Sequence, residues 1–292
     1  MLKTITLDGI FAKFEGAFAE NTLRAYRSDF EKFQKWCTLT KVDPFRSDPE
    51  AISKYVEHMS EQSAPATVSR NLASLSTVLK LSGHDDHTHS PEVVLALKRM
   101  YRRKGRSQKQ ATPLTRNVLE QLLSVCGTDI KGQRDRVMLL MGNETMRRRS
   151  ELCLFKFGDL KRLPNGKTGI RLRFSKTDQL GKGKLIPISA PLCQAIKDWE
   201  EHIGKPGYIL RSVNRYGQIG DQLHPASISR RLKCLQKEAG LEKIGALSGH
   251  SFRVGGALDL LDDGETLERI MLRGGWQAES TAMKYLREWQ AM

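Results

Sequence analysis

The sequence predicts a mainly α protein: a helical N-terminal domain, then a mainly helical domain carrying a small antiparallel β-sheet. Three observations carry that expectation. Apolar residues recur at helical spacing through the first third of the chain. A basic, polar stretch ending in Pro113 follows. Between Gly169 and Ile188 the apolar period shortens to that of strands.

In the first third, Asn21 or Thr22 is placed to cap a helix running to about Leu39, with Leu23, Tyr26, Phe30, Phe33 and Trp36 or Cys37 on one face. Pro44, Asp48 and Pro49 punctuate before a second helix, Glu50 to Met59, whose apolar face is Ile52, Tyr55, Val56 and Met59. A third helix spans Ala64 to Leu81, and a short fourth begins near Pro91. The segment YRRKGRSQKQATP, residues 101–113, has a linker's composition. The domains are therefore set at 1–103, a basic linker at 104–112, and 113–292. Thr115 to Cys126 and Gln133 to Asn143 are helices of the second domain. GIRLRFS and KLIPIS, separated by Gly181, Lys182 and Gly183, form a hairpin, and helices return from Pro191.

The 292 residues carry 48 Lys and Arg against 33 Asp and Glu, a formal charge of +15. A polyanion is the natural partner for such a balance, although charge alone does not separate DNA from RNA or from a merely basic surface. No stretch approaches the length of apolar residues that spans a bilayer, and the N-terminal residues lack a secretory signal, so no membrane is expected. The five cysteines are scattered and unpaired in spacing, which fits reduced thiols in a cytoplasm and gives no zinc motif. The run Gly83 to His89 holds three His and two Asp, but it falls in an interhelix loop and is read as a solvated polar loop. No metal site is assigned.

Four patterns in the second domain carry chemistry. Arg148 and Glu151 are three apart and would share a helix face; taken alone they are also an ordinary surface ion pair. Lys176 falls in the turn between the strands, where exposed lysines are common. His250 and Arg253 lie where a helix begins, an arrangement suited to an oxyanion, yet a lone pair of this kind is often structural. Trp276 follows two glycines, and Tyr285 comes nine residues later, where a tyrosine more often packs than reacts.

Their order, Arg-x-x-Glu, Lys on a hairpin, His-x-x-Arg, Trp, then Tyr, closely resembles that of the tyrosine recombinase (phage integrase) family. The likeness extends upstream through NTLRAYRSDFEKFQKWC, ATVSRNLASLSTVLKLSG and LALKRMYRRKG, so it covers nearly the whole chain and implies a SAM-like, core-binding N-terminal domain ahead of the catalytic one. It implies a site-specific DNA recombinase that cleaves and religates strands through a 3′-phosphotyrosine and a Holliday junction, with neither metal nor ATP as cofactor. By the same resemblance Arg148 and Arg253 grip the phosphate and Tyr285 is the nucleophile. Lys176 protonates the leaving oxygen, His250 moves protons around Tyr285, Trp276 donates to a phosphate oxygen, and Glu151 orients the cations. The implied partner is double-stranded DNA with an inverted-repeat site, bound by a homotetramer on two duplexes and by a monomer before that. The implied setting is the cytoplasm, at the nucleoid, of a bacterium, phage or plasmid host.

Arg24 and Arg70 fall where the family presents major-groove residues, to reach either guanine or a phosphate. Arg102, Arg103 and Lys104 are placed to track the backbone, or to form part of a solvated tether. At Ala226 the matching pattern carries a base-reading arginine, which implies a different target. Only seven residues follow Tyr285, short of the full helix that family members dock on a neighbouring protomer, so either the chain is shortened or Trp289 alone makes that contact. A topoisomerase IB-like relaxing enzyme and a catalytically silent DNA-binding relative stand as alternatives.

Overall fold

The computed structural model describes residues 7–107, 109–164, 166–174, 183–204 and 206–286. The described chain is mainly helical with one three-stranded antiparallel sheet, and it divides into two compact units, Met1–Lys109 and Gln110–Met292.

The first unit holds α1 (Leu7–Ala12), α2 (Glu20–Thr40), α3 (Pro49–Gln62), α4 (Pro65–Leu81) and α5 (Pro91–Lys104). Helix α1 was not expected; its apolar residues Ile10 and Phe11 join the core of the unit. Helix α2 starts at Ala19 without a side-chain cap, and the Asn21 side chain instead accepts from Arg24, which corrects the expected cap. Asp48 caps α3 by accepting from the amide of Ala51, and proline opens α3, α4 and α5 at positions where a missing N–H costs nothing. The core is aromatic: Phe30, Phe33, Trp36 and Tyr55 interlock with ring centroids about 5–6 Å apart.

One polar network crosses this core. Asp29 of α2 is fully buried and accepts from Arg70 and, at 2.7 Å, from the Ser74 hydroxyl, both of α4. The Tyr55 hydroxyl donates to Asn71, whose amide donates to the Asp29 carbonyl. Helix α5 runs on to Lys104, so residues 101–104 form its last turn, and the linker-like composition that begins at residue 101 reaches back into the helix. There the Tyr101 hydroxyl meets that of Ser69, and Met100 is buried. The basic residues Arg102, Arg103 and Lys104 thus sit at a helix C-terminus, where positive charge is favourable.

The second unit comprises α6 (Arg116–Ser124), α7 (Ile130–Thr145), α8 (Arg149–Leu152), β1 (Leu160–Arg162), β2 (Thr168–Leu172), β3 (Lys184–Ile188), α9 (Ala190–Ile203), α10 (Pro225–Glu238), α11 (Ser251–Asp262), α12 (Leu267–Gly274) and α13 (Glu279–Leu286). The sheet order is β1-β2-β3, with Leu160 opposite Ile170 and Ile170 opposite Ile186. Strand β1 was not expected, being too short to show a period. Ile170, Leu172, Ile186 and Ile188 are buried, while Pro187 lies on an edge strand, where proline is tolerated.

A large apolar core joins α6, α7, α9, α10 and the sheet. A smaller one, made of Met146, Val254, Ala257, Leu258, Ile270, Trp276, Ala282 and Leu286, binds α11, α12 and α13 to the end of α7. The residues that begin this unit are tied down: Gln110 donates to the Tyr285 carbonyl at 2.8 Å, and the Leu114 amide donates to the Ser251 carbonyl.

Candidate active site

The site forms around the end of α7. Met146 closes that helix with φ of 51°, a left-handed conformation uncommon for a side-chain-bearing residue. The turn aims the Met146 carbonyl inward, where Nη1 of Arg253 donates to it at 2.6 Å. Arg253, from the first turn of α11, is 0% exposed. Its Nε and Nη2 have no hydrogen-bond partner among the described residues, nor does the buried indole Nε1 of Trp276. Buried donors almost always find an acceptor, so three orphans in one place mark a site built to receive one.

The rings above Arg253 define the rest. Its guanidinium carbon lies 4.8 Å from the Trp276 ring centroid and 5.7 Å from that of Tyr285. Trp276 and Tyr285 are 4.7 Å apart, and the His250 ring lies 5.2 Å from Tyr285. Tyr285 is half-buried on α13, and exposed His250 is the residue before α11. Gly274 and Gly275 make the approach of Trp276 possible. A side chain on Gly274 would collide with the indole, and Gly275 takes φ of 68°.

Arg148 and Glu151 are together, but not as neighbours on a helix face. Arg148 is the N-cap of the four-residue α8, and Glu151 folds back to accept from its backbone amide at 3.1 Å and from its Nη1 at 2.9 Å. Glu151 is buried, while the Arg148 side chain remains about one-third exposed. The pair is thus a capping arrangement, which fixes the arginine with its remaining donors available.

Electrostatics follow from this crowding. Burial pushes the Arg253 guanidinium below its usual value, opposed by Tyr285, whose hydroxyl approaches the guanidinium without reaching the geometry of a hydrogen bond. Part of the His250 ring reaches solvent, but the atoms packed around the rest desolvate it, and this, then Arg253 and Arg148, lowers the imidazole below its ordinary 6.5 and favours the neutral form.

The structure therefore brings Arg148, Glu151, His250, Arg253, Trp276 and Tyr285 together. Lys176 lies outside the described residues, as does Trp289. In the first unit, Arg24 is exposed and paired with Glu20 one turn away, and Arg70 reaches from the surface to buried Asp29. Arg103 donates to the Ser60 hydroxyl at 3.0 Å, and Lys104 reaches the Ser63 carbonyl at 3.4 Å; Arg102 is exposed. Ala226 is half-buried in the first turn of α10. In the Gly83–His89 loop, Asp86 is satisfied by Ser76, Thr88 and Lys80, and hydrogen bonds from Ser76 and Thr88 hold its carboxyl well below the usual range despite burial. Gln110 and Arg147 also bear on the site, yet neither belongs to a local pattern; Gln110 reaches the Tyr285 carbonyl, and Arg147 joins the nearby Thr145 carbonyl to the distant one of Arg273, a partnership that leaves no trace in sequence.

Residues 112–291 match the profile described as "Phage integrase family", and residues 12–81 match "Phage integrase, N-terminal SAM-like domain". The chain belongs to the phage integrase family. Among individual relatives, it is 28% identical to the Integrase/recombinase xerD homolog of Selenomonas ruminantium, over 94% of this chain and 84% of that one. It is 24% identical to Recombinase cre of Escherichia phage P1, over 93% and 85%. Its fold is similar to that of lambda integrase (75-356), solved as a dimer bound to a COC′ core site. The TM-score is 0.69 at 17% identity, covering 96% of this chain and 95% of that one. A lambda integrase tetramer bound to a Holliday junction matches with the same TM-score over 97% and 78%. No helix among the described residues is long and apolar enough to cross a membrane.

Proposed function

We propose that the chain is a site-specific DNA recombinase in which the Tyr285 hydroxyl attacks a backbone phosphate. The observation that carries this is the set of three buried, unpaired donors on Arg253 and Trp276 beneath the Tyr285 ring.

A phosphodiester repels nucleophiles, and its transition state spreads added negative charge over phosphoryl oxygens, so catalysis needs fixed positive donors more than new covalent chemistry. Arg253 offers Nε and Nη2 as a planar fork that stays protonated, Arg148 offers its free guanidinium edge, and the Trp276 N–H adds a third contact. With the phosphate so held, the Tyr285 oxygen bonds to phosphorus as the phosphorus–O5′ bond breaks. The phenolic proton passes to neutral His250, and a 3′-phosphotyrosine remains. The departing 5′-oxygen takes a proton, for which Lys176 is the proposed donor. Reversal, with a 5′-hydroxyl from a second duplex as nucleophile, completes exchange through a Holliday junction without an external energy source. Glu151 holds Arg148 and does not react.

Relatives solved on core-site DNA and as a tetramer on a Holliday junction support a tetramer of this chain acting on two duplexes. An inverted-repeat target, the 104–112 linker, and DNA contacts by Arg24, Arg70, Arg102, Arg103 and Lys104 belong to the same proposal. The experiment selects a binding duplex from a random pool, nicks it as a suicide substrate, and traps the covalent adduct. The parent chain should form it, and Tyr285→Phe should bind the duplex without forming it. An undiminished adduct in that variant would remove Tyr285 from the role. Relaxed circles without recombinants from a plasmid carrying two copies of the site would favour a relaxing enzyme instead.

A further inference from the structure

Arg147, next to Arg148, has no part in the chemistry above, yet it is 3% exposed. Its Nε donates to the Thr145 carbonyl at 2.6 Å and its Nη2 donates to the Arg273 carbonyl. Among the described residues no carboxylate forms an ion pair with it. Burial, with Arg253 the next cause, pushes its guanidinium down to about 10. A buried cation satisfied only by carbonyls is a poor choice for stability, and an apolar side chain of similar length is usually no worse.

The fork does something an apolar residue cannot. Thr145 ends α7 in the turn that leads to Arg148, and Arg273 lies in the last turn of α12, which leads through Gly274 and Gly275 to Trp276 and then to α13 with Tyr285. A Cβ on Gly275 would stand 2.6 Å from Nη1 of Arg147, so that turn is wrapped around the guanidinium. On the other side, left-handed Met146 gives its carbonyl to Arg253 and so directs the next side chain, Arg147, inward. One turn thereby fastens both proposed phosphate-gripping arginines, and the Arg147 fork ties that turn to the nucleophile segment.

We propose that Arg147 is a positioning residue for strand cleavage: it fixes the register between the Arg148–Arg253 pair and the helix bearing Tyr285. This rests on the assignment of Tyr285 as nucleophile.

The test uses the full chain and the nicked duplex recovered by selection. Single-turnover adduct formation at saturating DNA is compared with Kd for the same duplex and with the melting temperature. Arg147→Met should slow adduct formation about 10- to 100-fold, the scale of small misplacements at a reacting centre. Kd should stay within about threefold and the melting temperature at or above the parent's. Arg147→Lys should recover only a minor part of the rate, because a point charge cannot bridge two carbonyls as a planar fork does. Gly275→Ala should slow the reaction by displacing the guanidinium, and the double variant should be no slower than the worse single one. If Arg147→Met does not fold, Arg147→Lys and Gly275→Ala carry the test.

A rate for Arg147→Met within twofold of the parent overturns the proposal. So does a loss shared equally by rate, Kd and melting temperature, or a double variant whose defects multiply. A parent chain that forms no adduct overturns the Tyr285 assignment and this inference with it, whereas a parent that reacts and an Arg147 series that does not change overturns this inference alone.

Discussion

The Arg253 guanidinium lies 5.7 Å from the centroid of the Tyr285 ring, and it is wholly buried, while the tyrosine is only half so. The cation therefore forms the floor of the site and the phenol its wall. An anion drawn onto that floor would lie on the Tyr285 side of the site.

That placement separates stability from activity at Arg253. The fold buries a guanidinium with one hydrogen bond made and two donors unmet, which is costly without a bound anion. Arg253→Met should leave the melting temperature unchanged or raised, while cutting adduct formation by about 10²- to 10³-fold, as loss of a transition-state donor does. Arg253→Lys should restore little of the rate. A calorimetric scan beside a single-turnover cleavage assay checks both halves; a fall in stability comparable to the loss in rate would assign Arg253 to the scaffold.

His250 gives a pH prediction with a definite sign. Burial and the neighbouring arginines lower its folded value below the ordinary 6.5, so the unfolded chain binds more protons than the folded one in the window just below that value. Stability from this group is fully present above pH 6.5 and is lost as pH falls through the window. As the acceptor of the Tyr285 proton it must be neutral, so the acid limb of the cleavage rate should lie below pH 6.5. His250→Gln should remove that limb along with much of the rate. An acid limb centred above 6.5 in the parent would contradict the role.

Much of this arrangement was legible in the sequence because helical period and short-range spacing are local. The faces Phe30–Phe33 and Ile52–Tyr55–Val56 declared α2 and α3, and the alternation in GIRLRFS declared β2. The ordered Arg, His, Arg, Trp and Tyr brought the site with them through resemblance. What escaped was set by tertiary partners. The Arg148–Glu151 spacing suggested a helix face, but the helix begins only after Arg148, and the same spacing became a cap. Basic residues 102–104 look like tether because composition does not reveal that Met100 and Tyr101 pack inward and carry the helix on. Arg147 could not be told from its two arginine neighbours, since burial at 3% depends on a carbonyl 126 residues away.

Arg70 requires care as a DNA-contact candidate, because its charge is also what neutralises Asp29. The pair spans α2 and α4 with the arginine half-exposed and the carboxylate buried. Arg70→Ala leaves a carboxylate in an aromatic core with Ser74 as its one remaining side-chain donor, and should cost roughly 1–3 kcal/mol, discounted for the exposed partner. Asp29→Asn should cost less. A double-mutant cycle by chemical denaturation should show coupling of about 1 kcal/mol or more. DNA affinity is then best read in Arg70→Lys, which keeps the ion pair. Strictly additive stabilities would mean that the buried carboxylate is satisfied without Arg70.

Gly255 tests whether residues 110–114 belong to the site. In α11 it faces the Leu114 backbone so closely that an added Cβ would collide with the Leu114 carbonyl. The same segment holds the Tyr285 carbonyl through Gln110. Gly255→Ala must therefore push the segment off α11 or distort the helix, at a cost of about 3 kcal/mol or more, the upper range for overpacking. The displaced segment should release the Gln110 tie and slow adduct formation beyond what the remaining folded fraction explains. Gly158→Ala, at a glycine with open space around it, should change stability by no more than about 0.5 kcal/mol and leave cleavage unaltered. Gln110→Ala isolates the second effect, since it removes the hydrogen bond without overpacking. If Gln110→Ala cleaves at the parent rate while Gly255→Ala is slow only in proportion to its unfolding, the segment supports the fold and does not place the nucleophile.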